Sequence, residues 1–180
     1  MRNSSQSKEC LYNSLVSLMD QKPFKEIQII EICEKAGYNR STFYRNYTNK
    51  FDIIIDRFNQ EVSIYQKLVN DSADYTFHNK IKILFDILRE SSVIKIMHKA
   101  NLDYEMYSLF YKMYPKIAKE TNVYYKVFRS AGIFNVIIKW LDNGMKESSD
   151  EMAFILSDII NHQDRLLKEL IIKMSSNIKR

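Results

Sequence analysis

Glycine is scarce in this chain of 180 residues: Gly37, Gly132 and Gly144 are the three, and proline occurs twice. So few breakers leave little room for turn-rich β architecture, and with the hydrophobic spacing described below the chain reads as all-α. Cysteine is nearly as rare. Cys10 and Cys33 lie in apolar-periodic segments without CxxC spacing, which excludes a disulfide framework or a thiolate zinc site and fits buried, reduced thiols in a cytosolic protein. Histidine occurs at 78, 98 and 162. There is no HxxxH pair, GxSxG elbow, phosphate loop or Cys–His pairing, and His98 with Asp103 is not a metal site by itself. An enzyme is therefore not expected, nor any cofactor or metal. Long apolar runs are absent too. None approaches the roughly 18 residues of a membrane span, and the opening Met1-Arg2-Asn3-Ser4-Ser5-Gln6 is polar rather than a targeting signal. A cytoplasmic protein with no membrane partner is the expectation.

What the chain does carry is positive charge and helical periodicity. It has 27 Lys+Arg against 22 Asp+Glu, a formal net charge of +5 and a pI near 9.0, which is compatible with an anionic partner. Leu11, Leu15, Leu18 and Met19 predict a first helix over about 7–20, ended by Gln21-Lys22-Pro23-Phe24. Ile29, Ile32, Cys33 and Ala36 form a second, short stripe that stops at Gly37, where a turn with positive φ is expected. Asn39 then reads as the N-cap of a third helix. From Tyr38 to Tyr47 no residue is acidic. Two short helices joined by a glycine turn make a helix-turn-helix candidate.

Beyond it, a long helix is predicted from about Asn49 to Asn70, with Ile55, Phe58, Val62, Tyr65 and Val69 on one face, and a polar linker over 71–79. Ile81, Leu84, Phe85 and Leu88 mark the next helix. Tyr104, Tyr107, Leu109, Phe110, Tyr111 and Tyr114 mark an aromatic one that stops near Pro115. Ile133, Ile137, Trp140 and Leu141 belong to a helix closed by Gly144. Ser148 and Glu151 then form a capping box ahead of a final stripe from Met152 to Met174. Ile155, Ile159, Gln163, Leu166 and Leu170 are the candidates for dimerisation along it, the alternative being intrachain core packing.

Residues from about Ser7 to Phe58 resemble the N-terminal DNA-binding domain of TetR-family transcriptional regulators. The resemblance rests on Ile32, Ala36 and Gly37, on Asn39, on Thr42-Phe43-Tyr44, on Tyr47, and on Asn49-Lys50. The segments 128–134, Lys139-Trp140-Leu141-Asp142-Asn143-Gly144 and Ser149-Asp150-Glu151-Met152 are similar to the C-terminal region of a TetR subgroup that includes dihydroxyacetone-kinase regulators. The resemblance implies a three-helix reading domain over 1–60 and a helical effector-binding and dimerisation domain over 61–180. It further implies a homodimer on a double-stranded, pseudo-palindromic DNA operator, released by a small-molecule effector. Since some of that subgroup are coactivators, the alternative is an interaction protein that works through a protein partner with weak or absent DNA binding.

By the same resemblance, Arg40, Ser41, Thr42, Tyr44, Arg45 and Asn46 face DNA while Phe43 and Tyr47 pack inward. The chemistry suits that division. Arginine forks match phosphate or guanine, the Asn46 amide matches adenine, and the hydroxyls match phosphate. Lys50 resembles the family's phosphate-clamping lysine, and Gln28 stands where a phosphate-touching threonine is common. The sequence departs from the family at Cys33, Asn46, Tyr47 and Phe51. In the middle of the chain, His98, Tyr104, Tyr107, Tyr111 and Trp140 are candidates to line an apolar effector pocket, with ordinary core packing as the alternative.

Overall fold

Leu11, Leu15 and Leu18 recur at intervals of four and three and are buried along one side of α1 (Ser4–Met19). The helix starts three residues before the expected Ser7, which is itself buried. It ends ahead of Gln21-Lys22-Pro23, because proline disfavours the α conformation in the residue before it. In this computed structural model, residues 4–116 and 122–162 are described. The remaining helices are α2 (Ile29–Ala36), α3 (Arg40–Asn46), α4 (Phe51–Asp71), α5 (Phe77–Glu90), α6 (Ser92–Lys99), α7 (Asp103–Met113), α8 (Val123–Asp142) and α9 (149–162), with 3-10 turns at Phe24–Glu26 and Tyr114–Lys116. The fold is all-α; no strand occurs among the described residues. No described helix is long and apolar enough to cross a membrane.

The chain forms two compact units. One comprises 4–66 together with 91–113. Within it α1 packs on α2 and α3, α2 packs on α3, and α6 packs on α7. Leu11, Ile32 and Phe43 are wholly buried at its centre. Two polar contacts tie the start of α6 into the same unit. The Tyr12 and Ser92 hydroxyls lie 2.7 Å apart, and Ser91, whose Oγ caps the amide of Ile94, donates to Glu61 Oε2 at 2.7 Å. Burial pushes the Glu61 carboxyl above its ordinary pKa, with the Ser91 hydrogen bond opposing that shift.

The other unit comprises 67–90, 114–116 and 122–162 of the described residues. Ile81, Leu84, Phe85 and Leu88 of α5 are buried, as their spacing predicts, together with Ile133, Phe134, Ile137 and Trp140 of α8 and Met152, Ala153, Leu156 and Ile160 of α9. The predicted Ser148 capping box forms. Ser148 Oγ accepts from the Glu151 amide at 3.2 Å, and Glu151 Oε2 accepts from the Ser148 amide at 2.7 Å. The Ser148 amide, and after it the Ser148 hydroxyl, which donates to the same Oε2 at 2.8 Å, hold the Glu151 carboxyl below its usual pKa.

Helix ends explain the sparing use of glycine. Gly37 has φ 70° and ψ 34°, its amide meets the Glu34 carbonyl, and the Tyr38 amide reaches back to the Cys33 carbonyl at 2.9 Å. This is the paired 6→1 and 5→2 closure of a left-handed C-terminal cap. Gly144, φ 74°, closes α8 in the same way through Met145 to Trp140 at 2.8 Å. A methyl group at Gly37 would meet nothing within 4 Å, nor would one at Gly132 inside α8. Gly37→Ala should therefore cost about 1–2 kcal/mol of backbone strain alone. Gly132→Ala should instead raise stability by about 0.5–1 kcal/mol by restoring helix propensity. Chemical denaturation of the two variants should shift in opposite directions; a shared sign would contradict the turn assignment.

Candidate nucleic-acid interface

Phe43, wholly buried, and Tyr47, nearly so, hold α3 against the rest of its unit, which leaves Arg40, Ser41, Tyr44 and Arg45 exposed. The Tyr47 hydroxyl donates to Asp56 Oδ2 at 2.9 Å, and Lys8 Nζ approaches the two oxygens of that carboxylate at 3.2 and 3.3 Å. Burial, then the carboxylate beside it, drives the Tyr47 phenol far above its ordinary pKa. It is a neutral donor at any pH of interest. This lock joins α1, α3 and α4. Its signal in the sequence is the tyrosine itself, since a buried hydroxyl needs a partner.

On the outward face, Arg40 Nη2 donates to the Tyr44 hydroxyl at 3.4 Å and its guanidinium lies 5.8 Å from the centre of that ring. The Tyr44 hydrogen bond raises the Arg40 pKa further. Arg45 reaches back along the helix, from Nε to the Ser41 carbonyl and from Nη2 to Thr42 Oγ1, each at 3.4 Å. These contacts are long, and both arginines keep exposed donors. A cleft of about 450 Å³ lined by Tyr44, Arg45, Asn46, Lys8 and Asp56, among others, adjoins this face.

Asn46 differs. Its Oδ1 accepts from Ser4 Oγ at 3.0 Å and its Nδ2 donates to the Thr42 carbonyl at 2.8 Å, so the amide ties the start of α1 to the end of α3. Each of these atoms keeps one further hydrogen-bonding site, the second lone pair of Oδ1 and the second hydrogen of Nδ2. Asn39 takes the extended backbone of an N-cap, but its side chain makes no capping bond. Gln28 precedes α2, and its backbone N–H donates to Glu31 Oε2 at 2.7 Å. Glu31 is also gripped by Lys22 at 2.6 and 2.7 Å, and these two partners hold its carboxyl below the usual range, Lys22 first. Lys50 donates to the carbonyls of Phe24, Lys25 and Ile27 at 2.7, 3.0 and 2.6 Å.

The expected pocket residues are divided between the two units, His98, Tyr104, Tyr107 and Tyr111 in one and Trp140 in the other. Trp140 is 2 % exposed in the core of its unit, its Nε1 donating to the Glu147 carbonyl at 3.0 Å and its ring meeting Phe85 edge-on at 4.9 Å. Tyr104 is 81 % exposed, because α7 buries Met106, Leu109, Phe110 and Met113 on its other face. His98 pairs with Asp103 at 3.1 Å, and the half-buried rings of Tyr107 and Tyr111 lie 6.1 Å apart. Among the described residues, no three His, Cys, Asp or Glu side chains gather as metal ligands would.

On α9, Ile155 and Ile159 are 39 % and 41 % exposed, one turn apart and beside the buried stripe. Gln163, Leu166 and Leu170 lie outside the described residues.

Residues 45–162 match the family model described as a transcriptional regulator C-terminal region, of TetR type. Among solved structures, Lin0861 from Listeria innocua is similar with a TM-score of 0.70 at 16 % identity, covering 91 % of this chain and 91 % of that one. The dihydroxyacetone kinase operon activator DhaS is similar with a TM-score of 0.56 at 17 % identity, covering 89 % of this chain and 97 % of that one. At such identities the likeness is one of fold. No curated protein matches.

Proposed function

The chain belongs to the TetR family of transcriptional regulators, and from that premise we propose that it reads DNA as a homodimer and releases its operator on binding a small molecule. It is a regulator rather than an enzyme. Residues 1–60 form the reading head and 61–180 the effector-binding and dimerising part of a cytoplasmic repressor. The observation that carries this reading is the acid-free outer face of α3, where Arg40, Ser41, Tyr44 and Arg45 stand exposed on a helix anchored from beneath by Phe43 and Tyr47. An arginine fork without a committed carboxylate suits a phosphate or a guanine edge. Two heads related by a two-fold axis would meet half-sites about one helical turn, or a multiple of it, apart. An effector then acts by preferring the dimer whose head spacing mismatches the operator, and it shifts binding by no more than its differential affinity for the two states.

Arg40→Ala and Arg45→Ala each should weaken binding to a duplex selected by the unmodified protein from a random-sequence library. Each should also lower the dependence of log affinity on log salt by about one unit per head. Titrations at several salt concentrations measure both. Unchanged affinity in both variants would remove the DNA-reading assignment. It would leave a second reading, regulation through a protein partner, which draws on the fold shared with the operon activator DhaS.

A further inference from the structure

α3 is seven residues long, and a helix that short has little stability of its own, so its direction is set by what holds its two ends. The Gly37 turn holds the first. The second is held by polar bonds to α1 and α4. Tyr47 closes α3 as its C-cap residue, in extended backbone, and its hydroxyl donates to Asp56 Oδ2 at 2.9 Å. Lys8 shares that carboxylate, and its Nζ lies 5.6 Å from the centre of the Tyr47 ring. One turn earlier on α1, Ser4 donates to Asn46, the last residue of α3. A cleft of about 340 Å³ borders these contacts, lined by Ser4, Lys8, Tyr47, Asp56 and Arg57 among others. With open space beside it, the hydroxyl end of Tyr47 is fixed by hydrogen bonding rather than by close packing.

The joint between α1 and α4 also has a sign pattern. Lys8 meets Asp56 and Glu9 meets Arg57 at 3.3 Å, so two neighbouring residues of opposite charge on one helix pair with two on the other. Farther along α1, the Tyr12 ring centre lies 5.0 Å from the same Arg57 guanidinium. Exchanging partners would set Lys8 against Arg57 and Glu9 against Asp56, which like-charge repulsion disfavours. Each partly exposed pair adds little stability. Their arrangement selects a register.

We propose that Asp56 is a positioning residue for α3: the crossed pairs fix one register of α1 on α4, and the Tyr47 hydrogen bond passes that register to the end of the reading helix. For its effect on DNA, the inference rests on the DNA-reading proposal. Tyr47 is buried, and a carboxylate at position 56 is repelled by phosphate, so both act through the pose of the exposed Arg40, Tyr44 and Arg45 rather than by touching the duplex.

Tyr47→Phe, Asp56→Leu and the double variant, each in the full chain, test this against the library-selected duplex and a scrambled duplex of equal length. Comparing duplexes of equal charge cancels the general phosphate attraction that loss of a carboxylate strengthens. Each single variant should lower the selected-to-scrambled affinity ratio by about tenfold, the size of one hydrogen bond to a charged group. The double variant should lose no more than Asp56→Leu alone, because both changes break the same bond. Tyr47→Phe removes a single oxygen and keeps the ring packing, so its effect is read on a folded protein. Amide hydrogen exchange supplies a readout free of DNA. The amides from Phe43 to Tyr47 should exchange about tenfold faster in all three variants, while those of α5 in the other unit keep their rates.

The proposal is overturned if Tyr47→Phe leaves the affinity ratio intact, if the loss in the double variant is the product of the two single losses, or if exchange in α3 is unchanged in either single variant. Should no duplex be selected, or should Arg40→Ala and Arg45→Ala bind undiminished, the DNA-reading proposal fails. Exchange in α3 then still decides the joint: faster exchange in both single variants upholds it, and an unchanged rate in either rejects it.

Discussion

Ile155→Asp combined with Ile159→Asp should convert the proposed dimer to a monomer and lower affinity for a two-half-site duplex by about 10²–10⁴-fold. The two isoleucines are 39 % and 41 % exposed, one turn apart on α9, whereas Met152, Ala153, Leu156 and Ile160 make that helix's contribution to its own core. Aspartate at these two positions therefore leaves the folded protomer largely intact. At an apolar two-fold interface, the same carboxylates would face desolvation without a partner, and each would also meet its symmetry mate's charge. The loss of DNA affinity follows because a single head no longer draws its twin to the second half-site. Light scattering across a concentration series measures the assembly, and circular dichroism checks the fold. A double variant that remains dimeric, with normal helicity, would place the interface elsewhere.

Trp140→Ala should destabilise the protein by about 3–5 kcal/mol. Trp140 is the single tryptophan and nearly wholly buried. Its ring sits edge-on to Phe85, the Arg89 guanidinium lies 5.0 Å from its centre, and its indole N–H meets the Glu147 carbonyl in the loop that follows α8. Arg89 donates to the Met145 carbonyl at 3.0 Å and to the Glu147 carbonyl as well, so the same loop is held by a cation and an indole stacked together. Truncation opens a large cavity and removes one of these ties. Trp140→Phe keeps most of the apolar contact and should cost considerably less. Denaturant titrations followed by circular dichroism measure both. A Trp140→Ala loss below about 1 kcal/mol would mean that the site collapses without penalty, contrary to its packing.

Helical content, the Gly37 turn and the Ser148 cap were legible in the sequence because each rests on interactions within a few residues. Periodicity located α1, α2, α5 and the start of α9, and a capping box needs partners only three residues apart. Where two helices pack, the pattern was less informative. On α4 Ile53 and Ile54, not Ile55, are buried with Phe58, Val62, Tyr65 and Val69. The turn between α6 and α7 carries no glycine signal either. Asn101, with φ 56°, fills the left-handed position there, a conformation that asparagine tolerates better than most residues.

The identity and order of the α3 residues can be read directly from the sequence, whereas the hydrogen-bond partners of Lys50 and Asn46 cannot. Lys50 meets carbonyls 23 to 26 positions away, and Asn46 meets Ser4 across 42 positions. Which partners a basic or amide side chain meets is settled only when the chain has folded around it. Trp140 illustrates the same limit, since the features that would make an aromatic residue a pocket wall also make it a core residue. By itself the sequence determined the all-α class, the punctuation of the helices and the acid-free segment after Gly37, all of which follow from local backbone sterics and spacing. Only the tertiary structure decided which polar groups on that segment remain free, because satisfaction of a donor or acceptor depends on what distant parts of the chain bring within hydrogen-bonding reach.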